Sequence, residues 1–159
     1  MKKKIIILLI VTIVAIQFFR PVKNQSNVAQ VNSLATAYST PLEVKIILEK
    51  ACNDCHTNNT TYPWYNNIQP IAWWLARHVS EGKKHLNFDE LLTYQPKKQD
   101  HKMEEVIEMV KEKEMPLPSY TWTHTAAKLS NEERVALTNW ASVVRNEITA
   151  KTGFVPKSN

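Results

Sequence analysis

Both cysteines of this chain stand in one five-residue run, Cys52-Asn53-Asp54-Cys55-His56. Two thiols three residues apart lie on one side of a helical turn, and the histidine beside the second shares that turn. With no third cysteine, a zinc site built on thiolates would lack its remaining ligands. A thioredoxin-like role for the pair requires a surrounding βαβ pattern, and none is present. The spacing is that of covalent haem attachment, C-x-x-C-H.

On that reading Cys52 and Cys55 bind one haem c through thioethers to its two vinyl groups, and His56 is the proximal iron ligand. Covalent tethering suits a small domain facing the outside of a cell, where a dissociable haem would be lost. The distal ligand is less constrained. Met115 stands in Glu114-Met115-Pro116-Leu117-Pro118, a loop that cannot be helical and that precedes the final helix. A thioether there suits the His/Met ligation that raises a cytochrome's potential. His78 and His124 are the alternative distal ligands, while His85 and His101 sit in polar surroundings and are expected to be exposed. Tyr62, Trp64, Tyr65, Trp73 and Trp74 offer apolar walls for a porphyrin, and Arg77, Tyr120 and Trp122 are candidate propionate partners.

The N-terminus is a separate region. Lys2, Lys3 and Lys4 precede an apolar run from Ile5 to Phe19, broken only by Thr12 and Gln17 and closed by Arg20 and Pro21. Such a run is about 22 Å long as a helix, short of the ~20 residues of a comfortable span. No small-x-small cleavage site follows closely, so residues 1–20 are expected to be an uncleaved membrane anchor rather than a removed signal. The lysines stay on the cytoplasmic side, which sends the rest outward, into the periplasm of a bacterial envelope. Residues 21–39, polar and aperiodic, read as a tether, 40–150 as the haem-binding domain and 151–159 as a tail.

With 2 glycines against 14 aromatic residues, the domain is expected to be all-α. Thr40, Pro41 and Glu43 read as a capped helix start leading into Cys52. A second helix is expected from Pro70 to about Gly82, burying Ile71, Trp74, Leu75, His78 and Val79 on one face. A third spans Lys102 to Glu114, with Met103, Val106, Ile107 and Val110 on one stripe. The last begins at Ser130, whose spacing to Glu133 is that of a capping box, and buries Val135, Leu137, Trp140, Ala141 and Val144.

The net charge of +5 does not mark a nucleic-acid binder. Five basic residues lie before Asn24, leaving residues 24–159 with 15 charges of each sign, interspersed as on a solvated helix face.

Through ACNDCHTNNTTYPWY, NIQPIAWWLARHVSEGKKHLNF, EMPLPSY and HTAAKLSNEERVALTNWA, which cover most of residues 45–145, the chain resembles the single-haem haem-binding domain family of bacterial envelope proteins. It is also similar, more broadly, to small cytochromes c, in which a Met-Pro loop precedes the closing helix. It departs from them in the Trp-rich segment from Tyr62 to Phe88. The resemblance implies covalent haem at Cys52, Cys55 and His56, an envelope location and a redox role. The leading expectation is an electron carrier serving a redox partner protein. The alternatives are a peroxidase-like enzyme using His78 or His124, and a gas or redox sensor in which a ligand displaces Met115.

Overall fold

The structure is a computed structural model and describes residues 1–155. It is all-helical. Among the described residues there is no strand, only one bridge between Gln25 and Asn59. In chain order the helices are α1 (Lys2–Ile16), α2 (Leu34–Ala37), α3 (Leu42–Ala51), α4 (Asn53–His56), α5 (Ile71–His85), α6 (Pro96–Lys111), α7 (Pro118–Thr121) and α8 (Asn131–Thr152), with three short 3-10 turns between them.

The core forms where α6 packs along α8 and α3 closes over α8. Ile47, Leu91, Met103, Leu137, Val144 and Ile148 are fully enclosed there. The start of α8 is fixed as the sequence implies: the Ser130 hydroxyl accepts from the Glu133 backbone N–H, and the Glu133 carboxylate accepts from the Ser130 N–H. Lys50 at the end of α3 pairs with the same carboxylate, tying the two helices together.

Several expectations need correction. The Thr40 hydroxyl makes no capping bond; Pro41 is the cap of α3 and Thr40 Oγ1 is buried without a partner. Helix α6 starts at Pro96 rather than Lys102, because its polar first turns are buried through pairing. The Tyr38 hydroxyl donates to Gln99 at 2.8 Å, and Arg145 grips Asp100 with two bonds of 2.8 and 3.0 Å. Val135 faces solvent and Ile148 takes the core place instead. Helix α5 does not stop at Gly82 but runs to His85. Of its expected buried face only Val79 is fully enclosed; Ile71 and Trp74 are exposed.

Residues 21–39, read as a tether, lie along the domain. Leu34 and Tyr38 join the core, and the Asn24 carbonyl accepts from the Thr60 N–H at 2.9 Å. The expected tail begins later than residue 151, since α8 continues to Thr152 and is closed by Gly153 in the left-handed region. Residues 156–159 of that tail lie outside the described residues.

The apolar N-terminal run forms α1, 15 residues with no buried side chain. At ~1.5 Å per residue this falls short of a ~30 Å hydrocarbon core. Among the described residues no helix is long and apolar enough to cross a membrane.

Candidate haem site

The C-x-x-C-H run folds as the sharp junction between α3 and α4. Cys52 ends α3, donating its N–H to Leu48, and its carbonyl accepts from Cys55 and His56. The resulting turn presents both thiols, free and half-buried, from one short segment. Burial pushes Cys52 up to about 12, and burial followed by the Asp54 carboxylate pushes Cys55 up to about 11. Both therefore stay neutral thiols at physiological pH, unlike the activated thiolate of a redox-active pair.

His56 is oriented by the segment that follows α5. Its Nδ1 lies 3.0 Å from the Leu86 carbonyl oxygen, which can only accept, so Nδ1 carries the proton and Nε2 keeps the lone pair. Burial, opposed by that bond, lowers its pKa, favouring the neutral ring a metal needs. The Leu86 carbonyl is itself held in place. Next to it, the fully buried Asn87 donates to Asn58 at 2.9 Å and accepts from the Asp89 N–H, while the Asp89 carboxylate accepts from the Asn58 N–H. Phe88 meets the His56 ring edge-on at 6.2 Å. Partners of this kind fix the tautomer and direction of a metal-binding imidazole.

Helix α5 crosses this turn at a residue with no side chain. A Cβ on Gly82 would lie 2.7 Å from the Cys55 carbonyl oxygen and 2.9 Å from its Cβ. The helix can come this close only at glycine.

Beside Cys55 opens a cleft between α5 and the segment 117–124. Its walls include Tyr62, Trp74, Leu75, Val79, Leu117 and Tyr120. Both alternative distal histidines line it. The His78 Nδ1 bonds the Trp74 carbonyl at 2.9 Å, and the His124 Nδ1 lies 3.2 Å from the Tyr120 carbonyl, so each ring has its other nitrogen to offer. His124 stacks on Tyr120 with centroids 4.2 Å apart. The Tyr120 hydroxyl donates to Asp54 at 2.7 Å, and burial, followed by that bond, raises its pKa.

Cys52, His56 and Met115 are half-buried outside the cleft wall. Met115 is reached through a reversal at Lys113, whose φ of 63° lets Glu114 and Met115 both donate to the Met109 carbonyl. Arg134 holds the Met115 carbonyl at 3.2 Å, and Leu117, two residues on, enters the cleft. Of the expected aromatic walls, Tyr62 and Trp74 line the cleft, whereas Trp64, Tyr65 and Trp73 do not. Tyr120 is the propionate candidate that does, and Arg77 and Trp122 are exposed. His85 and His101 are exposed, as expected.

Sequence reasoning missed Asp54, Gly82, the Leu86 carbonyl and Asn87. Gly82 alone carried a signal, because a glycine inside a helix costs ~1 kcal/mol against alanine and calls for a reason. The donor set fits a haem: two neutral free thiols, an imidazole with Nε2 available, and an apolar cleft starting at the second thiol.

A family model described as "Haem-binding domain" matches residues 11–143. The chain belongs to the haem-binding domain family. It therefore binds haem, and the match covers α3 to α5 together with the 112–118 loop and the first half of α8. The chain is also 30% identical, over 115 residues, to the cytochrome c peroxidase Ccp of Escherichia coli (strain K12). That alignment takes in 69% of this chain and only 24% of the relative, so the chain spans about a quarter of the relative's length. No solved structure matches the chain.

Proposed function

We propose that this haem-binding domain holds one haem c covalently through Cys52 and Cys55, with His56 as proximal ligand, and that it serves as a membrane-anchored electron carrier in the periplasm of a bacterial envelope. The observation that carries the reading is the His56 Nδ1 bond to the Leu86 carbonyl, which leaves Nε2 for iron on the turn that presents both thiols. Bound there, the haem supplies one-electron exchange at its iron. The protein's part is to hold His56 neutral and fixed and to exclude water with Trp74, Leu75, Val79 and Leu117.

Met115 is the proposed distal ligand. Its loop is pinned on both sides, at Met109 and Arg134, and continues into the cleft at Leu117. The proposed membrane anchor is α1, whose large apolar side chains from Ile5 to Val14 are exposed. The redox partner is a protein of the same compartment.

A second reading is a peroxidase-like enzyme or a gas or redox sensor. His78 and His124 both line the cleft, and one relative is named a cytochrome c peroxidase. In the enzyme either ring acts as distal acid and base, and in the sensor an incoming ligand displaces Met115.

The optical spectrum of the haem-loaded full chain, oxidised and reduced, with and without carbon monoxide, separates these readings. A carrier shows six-coordinate iron indifferent to carbon monoxide. Five-coordinate iron that binds it would overturn the carrier in favour of a peroxidase or sensor.

A further inference from the structure

The segment from Trp64 to Trp73 concentrates exposed large apolar side chains within a short stretch. Trp64 is 76% exposed, Ile68 41%, Ile71 38% and Trp73 41%, and none of them lines the haem cleft. Isolated exposed apolar residues need no explanation, whereas four within ten residues mark a contact surface.

A second observation says what that surface meets. The chain leaving α1 has no slack before it reaches this segment. The Gln69 N–H donates to Gln17 Oε1 at 2.9 Å, and the Phe19 carbonyl accepts from both Gln69 Nε2 and Trp73 Nε1 at 2.8 Å. Farther along, Asn24 donates to the Tyr62 hydroxyl and accepts from Lys83, each at 2.7 Å. Phe18 and Phe19, both exposed, thus lie beside the Trp-rich segment.

We propose that the Trp64–Trp73 segment is a membrane-resting face, seated in the headgroup and upper acyl region of a phospholipid bilayer and holding the haem domain in a fixed attitude against it. This rests on the membrane anchoring proposed for α1. Indole rings favour that boundary because they join a large apolar body to one N–H donor. In Trp73 the donor is already bonded to Phe19, which leaves the ring for acyl chains. Arg20 and Lys23, exposed next to the same junction, suit lipid phosphates. Trp74, next to Trp73 on α5, lines the haem cleft, so the proposed face adjoins the cleft through α5.

The test reconstitutes the haem-loaded full chain in vesicles of phosphatidylethanolamine and phosphatidylglycerol carrying a phospholipid with a diazirine near the headgroup. After illumination, labelled peptides are mapped by mass spectrometry. The expected result is label on residues 5–19 and on 64–73, the latter at least fivefold above α8, whose exposed Val135 and Val143 serve as the apolar control. Label on 5–19 with 64–73 no higher than α8 overturns the membrane-resting face and leaves the anchor intact. Label on 64–73 alone supports the face and overturns the anchor. Label on neither overturns both.

Discussion

Gly82 of α5 lies so close to Cys55 that a methyl group on its Cα would sit 2.7 Å from the Cys55 carbonyl oxygen. Both atoms crowded by such a methyl belong to, or adjoin, the backbone of the haem-attachment turn, which cannot swing aside as a long side chain can. Gly82→Ala is therefore expected to push α5 away from α4, at a cost of about 1–3 kcal/mol of stability. The helix propensity of alanine, worth ~1 kcal/mol, acts in the opposite direction and does not offset the clash. Thermal denaturation of the haem-loaded variant, with haem content per chain, checks this. An unchanged melting temperature with full loading would contradict the close packing.

Met115→Ala tests the distal ligand. If the thioether binds iron, the variant loses the Met-to-ferric-iron absorption band and gains carbon monoxide binding in the ferrous state. A spectrum identical to that of the parent protein would transfer the role to His78 or His124, which already line the cleft.

Asp100 is nearly enclosed, and Arg145 holds it with paired bonds while also reaching Glu104 at 3.1 Å. Removing only the Asp100 carboxylate leaves the half-buried guanidinium with Glu104 alone, so Asp100→Ala is expected to cost roughly 2–3 kcal/mol. Replacing both partners, as in Asp100→Leu with Arg145→Met, should cost less than the single change. Urea denaturation of the three proteins decides it, and a double variant weaker than Asp100→Ala would contradict the account.

This pair also shows why α6 was only partly legible in its sequence. The apolar stripe from Met103 to Val110 is visible, but Pro96 to His101 carries no such stripe, since nothing local reveals that Gln99 and Asp100 will be satisfied by Tyr38 and Arg145. Those partners lie 61 and 45 residues away. The start of α8 was legible because the capping box is local, with both partners three residues apart. The same contrast holds at the haem site. Cys52, Cys55 and His56 declare themselves by spacing, whereas the Leu86 carbonyl that orients His56 is a backbone atom 30 residues on, invisible to any reading of side-chain type. The polar strap from Asn24 to Asn32 looked like a tether because its bonds run to loops 57–62 and 87–92, and no periodicity records such pairing.

Glu133 links the acid sensitivity of α8 to α3. Its pKa is lowered, first by the bond from Lys50 and next by the Ser130 N–H. A carboxyl that is more acidic folded than unfolded contributes stability above the ordinary glutamate value of ~4.3, and that contribution disappears as pH falls through the lowered folded value. Glu133→Gln is expected to be less stable than the parent by up to about 1 kcal/mol at pH 7, since the pair is partly solvated. The gap should close as pH falls through the lowered folded value. Melting temperatures across this range check it, and a gap that is constant with pH would show that the charge plays no part.

The central claim, that haem is held by covalent bonds to Cys52 and Cys55, is tested most directly by the intact mass of the full chain after denaturation and extraction with acidified acetone. The account predicts that the chain keeps the mass of one haem through both treatments, and that changing both cysteines to serine abolishes the retention. A parent chain that returns to its bare mass, with the haem in the acetone, would contradict it.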